Sequence, residues 1–447
     1  MSKPLLLRGG RLVTMDGTRR VLDADVLVEN GRIKSVGRAD GRAGGRAKPM
    51  TVDCTGLVIL PGLIQAHIHL CQTLFRGLAD DLSLEAWLAT RIWPLEAAHT
   101  EASVHASAML GAAELLLGGT TAILDMETVR HTGAAFAALE SIGLRATAGK
   151  CLMDAPPPAN PASLREPTDQ ALTESADLCA QWHGAAGGRL RYCFAPRFVP
   201  SCTGPLLRAV SDLAEKAAAV IHTHAAETPL ELDIVKRETG HDEIAYLDSV
   251  GISGPRTALA HCVWVDADGI TRLARQETNV VHCPSSNLKL GSGLAPIPEM
   301  LAAGCRVAIG ADGAPCNNRL DAFAEMRLAA LVQKPRLGPE TMPAAQVLEL
   351  ATLGGARALG LESEIGSIEV GKCADLIALD LDGPHAQPQE ADLISRIVYS
   401  ARAADVRHVI VDGRIVVRDG ELKTGDVGEI RNTANAEARR LRRAVGF

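Results

Sequence analysis

Histidines stand at the ends of two apolar, strand-like runs of the chain. The first run ends in His67-Ile68-His69, and a later run ends in His222-Thr223-His224. Because side chains alternate between the two faces of a strand, the imidazoles of His67 and His69 lie on the same side. Two imidazoles at this spacing provide half of a metal site, and His224 can supply a third ligand.

Carboxylates and further histidines stand at the ends of other runs. Glu227 follows His224 by three residues, just past the strand, where it can reach a substrate beside a metal. Asp312 ends the run RVAIGAD, and a hard carboxylate suits both metal coordination and proton acceptance. Two more runs end in His261 and His282. Each residue alone is also compatible with a side chain that hydrogen-bonds a loop, but together they predict a metal site.

The runs that carry these residues belong to a set of eight, which alternates with stretches of helical spacing. The eight runs are LVILPGLIQAHIHL, TTAILDM, LRATAGKCLMD, LRYCFAPRF, AVIHTHAAE, TALAHCVW, NVVHCPSSN and RVAIGADG. Eight strands that alternate with helices predict an α/β fold, a closed (β/α)₈ barrel of the TIM type. The C-terminal ends of barrel strands meet at one mouth, and this is where we expect the metal site.

The two ends of the chain show a different pattern. Both contain alternating, hairpin-like strands, with tight-turn signals at Asn30-Gly31 and Asp412-Gly413. They predict a small β-sandwich built from both chain ends, followed by a terminal helix. The predicted domains are residues 1–57 and 366–425 for the two parts of the sandwich, 58–365 for the barrel and 426–447 for the helix. The Pro-rich segment 155–166 is expected to form a long loop over one barrel mouth.

Composition argues against several other classes of protein. Hydrophobic residues make up 47% of the 447 residues, which predicts a large core, and the formal charge of −7 argues against nucleic acid or an anionic membrane as a partner. The sequence predicts neither a membrane span nor a secretory signal. The 11 cysteines are scattered, which indicates buried thiols in the cytoplasm rather than disulfides. The sandwich edge and the terminal helix are compatible with a homo-oligomer.

Five motifs carry a resemblance to a known family: PGLIQAHIH, HAAET, LAHCVW, HCPSSNLKLGSG and GADGAPCNN. The chain resembles the amidohydrolase superfamily. Together with the strand pattern of the two chain ends, the five motifs extend this resemblance over nearly the whole chain. It is similar to the branch of guanine deaminases, S-adenosylhomocysteine, methylthioadenosine and 5′-deoxyadenosine deaminases, and triazine chlorohydrolases. The resemblance implies four metal ligands: His67, His69, His224 and Asp312. It also implies that Glu227 shuttles protons, that His261 orients the metal-bound hydroxide and that His282 lies at the pocket edge.

The expected cofactor is one divalent metal ion. Relatives with two metals use a carboxylated lysine from strand four as a bridge, whereas strand four here ends in Ala195-Pro196-Arg197-Phe198. A guanidinium cannot take that role, and Lys150 belongs to strand three. Three histidines and an aspartate suit Zn²⁺, and Fe²⁺ or Mn²⁺ is compatible with the same set.

The residues expected to bind substrate point in two directions. Gln72 and Arg197 resemble guanine deaminase, in which the corresponding residues hold the base; alternatively, they pack loops. The segments LFRGLADDLSLEAWL, IWPLEAA and SSNLKLGSG are similar to the adenosine-type deaminases, in which a carboxylate at the position of Glu96 binds the ribose hydroxyls. Guanine deaminases have a carboxylate there too, and adenosine-type enzymes usually carry histidine where Arg197 stands. Trp87 either stacks on a planar ring or packs its own helix.

The predicted function is the hydrolytic deamination of an aminopurine, either guanine or a 5′-modified adenosine, with release of ammonia. Asp312 is expected to take a proton from the attacking water while Glu227 protonates the ring nitrogen. A second hypothesis is hydrolysis of another aminated or chlorinated N-heterocycle, such as a pterin or an s-triazine. A third is a barrel that binds without catalysis, although no metal ligand is missing. Cys316 has no evident base partner and is not expected to be a nucleophile.

Overall fold

Two β-sheets organise the protein, which we describe from a computed structural model that covers residues 3–37, 49–156 and 160–446. One sheet is made by the chain ends and the other forms the barrel. The strands before the barrel are β1 (Leu5–Val13), β2 (Val21–Glu29), β3 (Arg32–Gly37), β4 (Met50–Asp53) and β5 (Val58–Pro61). The barrel strands are β6 (Leu63–His69), β7 (Thr120–Met126), β8 (Arg145–Gly149), β9 (Cys151–Leu152), β10 (Leu190–Pro196), β11 (Val220–Ala225), β12 (Thr257–His261), β13 (Asn279–His282), β14 (Arg306–Ile309) and β15 (Asp312–Gly313).

The second sheet is parallel and closes on itself. Its strands pair in the order β14-β13-β12-β11-β10-β8-β7-β6-β15, and β9 adds to β10. The short β15 follows β14 directly in the chain and pairs with β6, so that Asp312 lies opposite Ile68. The last barrel strand is thereby joined to the first, and the predicted (β/α)₈ barrel is confirmed.

Along the barrel strands, alternate side chains fill two different cores. In β10, Tyr192 and Phe194 belong to the large core that packs against the helices, whereas Cys193 and Ala195 belong to a second core of small residues inside the barrel. This alternation is typical of parallel barrel strands that are covered on both faces.

Helices connect the strands and cover the barrel. They are α1 (Leu84–Trp87), α2 (Trp93–Ala97), α3 (Glu101–Leu117), α4 (Thr132–Ile142), α5 (Thr168–Trp182), α6 (Gly204–Ala217), α7 (Pro229–Thr239), α8 (Glu243–Ser249), α9 (Ala267–Gln276), α10 (Pro284–Lys289), α11 (Ile297–Ala302), α12 (Ala314–Asn317), α13 (Ala322–Val332), α14 (Lys334–Leu337), α15 (Ala344–Glu349), α16 (Gly355–Ala358), α17 (Leu393–Ser395) and α18 (Val427–Val445). Capping side chains set several helix starts, and Thr228 accepts a hydrogen bond from the backbone of Glu231 to begin α7 immediately after Glu227. No helix in the described part of the chain is long and apolar enough to span a membrane.

Both chain ends contribute to the first sheet. Its later strands are β16 (Leu376–Leu379), β17 (Val406–Val411), β18 (Arg414–Arg418) and β19 (Glu421–Leu422). The order is β19-β18-β17-β16-β5-β1-β2-β3, with β4 also paired to β1. Side chains from both ends, such as Leu7 and Ile410, share one buried core. The predicted association of the two chain ends is confirmed, in the form of one mixed sheet. The exact domain limits stay predictions.

A buried ion pair joins the barrel to the terminal sheet. Arg145, at the start of β8, donates to Oδ2 of Asp375 at 2.6 Å and to Oδ1 at 3.0 Å. The loop predicted at 155–166 has neither helix nor strand in its described residues, and residues 157–159 lie outside them. Glu166 in this loop pairs with the buried Lys150 at 2.8 Å. All eleven cysteines are buried and free, as the sequence indicated.

Candidate active site

Four side chains meet at the C-terminal mouth of the barrel. His67 and His69 end β6, His224 lies in β11 and Asp312 begins β15. Nε2 of His67 and Nε2 of His69 lie 3.2 and 3.3 Å from Oδ1 of Asp312. Nε2 of His69 lies 3.1 Å from Nε2 of His224. The residues expected from the sequence to bind a metal therefore come together in space.

Hydrogen bonds from the Nδ1 atoms of His69 and His224 fix the direction of the lone pair on each Nε2 atom. Nδ1 of His69 donates to the carbonyl oxygen of Met126 at 2.8 Å, and Nδ1 of His224 donates to that of Arg197 at 2.6 Å. Burial lowers the pKa of His69 to about 4 and the pKa of His224 well below its usual range, so both rings are neutral. Each Nε2 is then an acceptor, and the two acceptors face each other. This arrangement fits a bound cation.

The third imidazole also has an atom that lacks a partner. Nε2 of His67 is buried and makes no hydrogen bond to any described residue, although Asp312 is near. Nδ1 of His67 lies 2.8 Å from Nε2 of His222. Contacts of this kind orient metal-binding rings in proteins. No role for His222 was expected from the sequence, although it stands two residues before His224.

Asp312 is held as a carboxylate. Ser286 donates its hydroxyl hydrogen to Oδ2 of Asp312 at 2.6 Å. Burial would raise the pKa of Asp312, but the imidazoles of His67 and His261 outweigh burial and hold this pKa well below its usual range. The residue also has a left-handed φ of 63°, a strained conformation that is found often at functional sites. It is therefore ready to accept a proton or to bind a cation.

Glu227 and His261 face each other beside the four candidate ligands. Nε2 of His261 lies 3.6 Å from Oε2 of Glu227 and 3.8 Å from Oδ2 of Asp312. Each of the two side chains has a further polar contact. Nδ1 of His261 lies 2.8 Å from the amide oxygen of Asn287. The hydroxyl group of Ser292 donates to Oε1 of Glu227 at 3.2 Å. Burial raises the pKa of Glu227 to about 7, against the charge of His261. A carboxyl group with this pKa can both give and take a proton near neutrality.

A buried ion pair forms one side of the cavity. Oε2 of Glu96 accepts from Nη1 of Arg197 at 2.7 Å, and Oε1 accepts from Nη2 of Arg197 at 3.2 Å and from Nε2 of Gln72 at 2.9 Å. Gln72 and Arg197 are among the described residues that line the cavity, and Glu96 is not. Oε1 of Gln72 is buried and receives no hydrogen bond from any described residue. Glu96 therefore holds the two cavity residues in place.

Part of the cavity lining is apolar. It consists of Leu84, Trp87, Leu88, Phe198 and Leu290. His282, which was expected at the pocket edge, is buried at the end of β13 and is not one of the described lining residues. Its burial lowers its pKa to about 3. The buried thiol of Cys316 lies 3.0 Å from the carbonyl oxygen of Gly313, and burial raises its pKa well above the usual value.

Comparison with known proteins identifies the family of the chain. The sequence pattern of the amidohydrolase family matches residues 58–416, which include all four candidate ligands. The chain belongs to the amidohydrolase family.

Named relatives within this family cover almost the whole chain. The chain is 40% identical to a 5-methylthioadenosine/S-adenosylhomocysteine deaminase of Desulforudis audaxviator, over 99% of the chain and 100% of the relative. It is 40% identical to a 5′-deoxyadenosine deaminase of Methanothermobacter thermautotrophicus, over 98% of the chain and 99% of the relative. The crystal structure of an adenosine deaminase from Xanthomonas campestris with bound zinc superimposes with a TM-score of 0.91 at 34% identity, covering 98% of both chains.

Several contacts of this amidohydrolase site were not expected from the sequence. Ser286, Asn287 and Ser292 all lie in the motif HCPSSNLKLGSG, which carries part of the family resemblance but gave no individual role to these three residues. Each of them holds a candidate catalytic side chain, and Ser286 is separated from its partner by 26 residues. The motif indicates that its polar residues belong to the functional site, but their hydrogen-bond partners can be identified only in the folded chain.

Proposed function

We propose that the protein is a hydrolytic deaminase that releases the amino group of a purine ring as ammonia. The facing Nε2 atoms of His69 and His224, with Asp312 beside them, carry this proposal, because they form a cation site next to a carboxyl group that can give a proton. The relatives at 40% identity, which are named deaminases of 5′-modified adenosines, support it.

We assign His67, His69, His224 and Asp312 as the ligands of one Zn²⁺. Three imidazoles and a carboxylate oxygen are a donor set that suits Zn²⁺, and the adenosine deaminase with a similar structure contains zinc. When bound, such a cation lowers the pKa of a water molecule, so that hydroxide is available near neutral pH. Fe²⁺ or Mn²⁺ fits the same donors, and elemental analysis of the purified protein distinguishes the three metals.

The surroundings of Lys150 support a single metal. Its ammonium group bonds the carbonyl oxygen of Val129 and pairs with Glu166 at 2.8 Å and with Glu174 at 3.0 Å. A lysine that is bound in this way is a cation and does not carry the carboxyl group needed to bridge two metals. Strand β10 ends near Arg197, which cannot replace such a lysine.

The protein residues divide the proton transfers between them. Asp312 is a carboxylate and accepts a proton from the attacking water. Glu227 gives its proton to the ring nitrogen next to the carbon under attack, which prevents negative charge from building up on the ring. Asp312 then passes the proton it accepted to the amino group, the C–N bond breaks and ammonia leaves, while the new hydroxyl group gives its proton to Glu227 and becomes the carbonyl. His261, fixed by Asn287, keeps the water in line between the two carboxyl groups.

Two substrates within the proposal are favoured by different observations. The named relatives favour a 5′-modified adenosine. The contacts of Glu96 favour guanine, because both of its oxygens are bonded to Arg197 and Gln72 rather than left for ribose hydroxyls. The buried Oε1 of Gln72 also needs a donor, which the N–H groups of a guanine edge provide.

Ammonia release from a panel of heterocycles tests the proposal. The panel consists of guanine, adenosine, 5′-deoxyadenosine, methylthioadenosine, S-adenosylhomocysteine, a pterin and an s-triazine. Release from the adenosines identifies the nucleoside reaction, and release from guanine alone identifies the base reaction. Release from the pterin alone, chloride release from the triazine, or no reaction by the metal-loaded protein contradicts the proposed substrate class.

A further inference from the structure

Behind Glu227 lie two buried carboxyl groups that the proposed mechanism does not use. They belong to Glu231 in the first turn of α7 and to Glu243, the first residue of α8. Oε2 of Glu231 accepts from the backbone N–H of Glu227 at 2.6 Å. Oε2 of Glu243 accepts from the backbone N–H of Ala226 at 2.9 Å. Two consecutive amides after β11 are thus bonded to two different glutamates.

The carboxyl groups of the two glutamates also lie within hydrogen-bond reach of each other. Oε1 of Glu231 and Oε1 of Glu243 are buried and receive no hydrogen bond from a conventional donor among the described residues. The carboxyl groups interact directly, and burial raises the pKa of both. A proton shared between two adjacent buried carboxyl groups avoids placing two negative charges side by side.

The segment that the pair holds is strained. Ala226 has a left-handed φ of 52°, which is unfavourable for a residue that has a Cβ atom. Its carbonyl oxygen accepts from the amides of Val263 and Trp264, both at 2.9 Å. With its N–H bonded to Glu243, both polar backbone groups of Ala226 are occupied. Such contacts are what keeps a strained residue in place, and this one directly precedes Glu227.

We propose that Glu231 and Glu243 are positioning residues, which share one proton and hold the backbone of Ala226 and Glu227 so that the Glu227 carboxyl group faces the substrate. This inference rests on the proposed function, because it explains how the proposed proton donor, Glu227, is oriented. Glu231 borders the substrate cavity, whereas Glu243 and Ala226 line a separate cavity. We call these two residues and their shared proton the glutamate clamp.

Substitutions at Glu243 separate the clamp from general packing. Glu243→Gln keeps an acceptor for Ala226 and supplies an N–H donor to Glu231, so we expect it to retain kcat within about threefold. Glu243→Ala removes both bonds, and we expect kcat to fall about 10²-fold with KM nearly unchanged, as for a misplaced catalytic group. Metal content should stay the same. Asp233→Ala, at an exposed position of α7, is the matched control and should change nothing.

Hydrogen exchange gives a readout that does not depend on turnover. The amides of Ala226 and Glu227 should exchange faster in Glu243→Ala than in the wild type, and Glu243→Gln should retain their protection. If Glu243→Ala does not fold, Glu243→Asp takes its place, because its shorter side chain cannot reach both Ala226 and Glu231.

The outcomes distinguish the clamp from the proposed function. Unchanged exchange in a folded Glu243→Ala or Glu243→Asp protein overturns the clamp, whatever the activity. Equal loss of kcat in Glu243→Gln and Glu243→Ala overturns the shared-proton bond. Faster exchange in Glu243→Ala, together with a wild type that deaminates no member of the panel, supports the clamp as a structural device and overturns its catalytic purpose together with the proposed function.

Discussion

Nε2 of His69 and Nε2 of His224 lie 3.1 Å apart, and each ring has given its only hydrogen to a backbone carbonyl oxygen on its other side. Two lone pairs that face each other in a buried site repel unless a cation lies between or beside them. The histidine arrangement therefore predicts that the folded protein is more stable with its metal than without it.

Removal of the metal should lower both activity and thermal stability. A cation at a thousand times its Kd adds about 4 kcal/mol to the free energy of unfolding. We expect chelation to abolish ammonia release and to lower the melting temperature by several degrees, and added Zn²⁺ to restore both. Full activity in protein that elemental analysis shows to be free of metal would contradict the assigned site.

Asp312→Asn should abolish turnover and leave the fold intact. The amide keeps the shape of the side chain and a contact with Ser286, but it cannot accept the proton from water. We expect kcat to fall at least about 10³-fold, since a positioned base contributes roughly 10² to 10⁴. The circular dichroism spectrum should not change. Ser286→Ala, which removes one hydrogen bond, is the control and should lose about tenfold. Retained activity in Asp312→Asn would rule out its role as base.

The activity should depend on the protonation of Glu227. Because burial raises its pKa to about 7, the carboxyl group carries its proton below this pH and loses it above. The proton donor is therefore present in acid, and kcat/KM should fall about tenfold per pH unit above 7. Glu227→Gln should lower kcat by about 10²-fold or more and remove this limb of the profile. A wild-type profile that is flat to pH 9 would argue against proton donation by Glu227.

Arg197→His should shift the preference between base and nucleoside. The shorter ring cannot make both hydrogen bonds to Glu96, and it leaves one carboxylate oxygen for the ribose hydroxyls. We expect the ratio of kcat/KM for methylthioadenosine to that for guanine to rise at least about tenfold, which corresponds to one hydrogen bond to a charged group. Arg191→His, at the other end of β10, is the control. An unchanged ratio would show that Glu96 does not set this preference.

Asp375→Ala should destabilise the protein without changing its chemistry. The substitution leaves Arg145 buried and without its main partner where the barrel meets the terminal sheet. Breaking a buried pair in this way costs about 3–5 kcal/mol. Chemical denaturation should show this loss, while kcat and metal content stay at wild-type levels. If the stability changes by less than about 1 kcal/mol, the pair does not join the two units as described.

Regular geometry explains why the candidate ligands could be placed from the sequence. A barrel brings the C-terminal ends of its strands to one mouth, so that His67, His224 and Asp312 meet although they are far apart in the chain. The clustering of these three residues needed only the strand pattern, which is clear in the sequence. The mixed sheet of the chain ends was also visible as matching hairpins, but its order, with β16 paired to β5, was not.

Contacts made outside the barrel strands could not be predicted in this way. The ion pair between Glu96 and Arg197 joins a helical segment after β6 to the end of β10, across 101 residues. Glu96 was expected to bind ribose hydroxyls with its carboxylate oxygens. In the folded chain both oxygens accept hydrogen bonds from Arg197 or Gln72 instead. His282 ends β13 as the strand pattern predicts, but it is buried and is not among the described residues that line the cavity. The pattern places the end of a strand and not the direction of its last side chain.

The pairing of β15 with β6 has a consequence for biosynthesis. Asp312 arrives on the strand that completes the barrel, while His67 and His69 are on the strand that starts it. A nascent chain that is still attached to the ribosome short of residue 312 lacks both the carboxylate and the final seam of the barrel. With the proposed ligand set, stable uptake of a cation is therefore expected only after the barrel is complete, because affinity depends on a folded ligand set. Prematurely ended translation products are then expected to lack both metal and activity, so that metal loading would report complete synthesis of the barrel portion of the polypeptide.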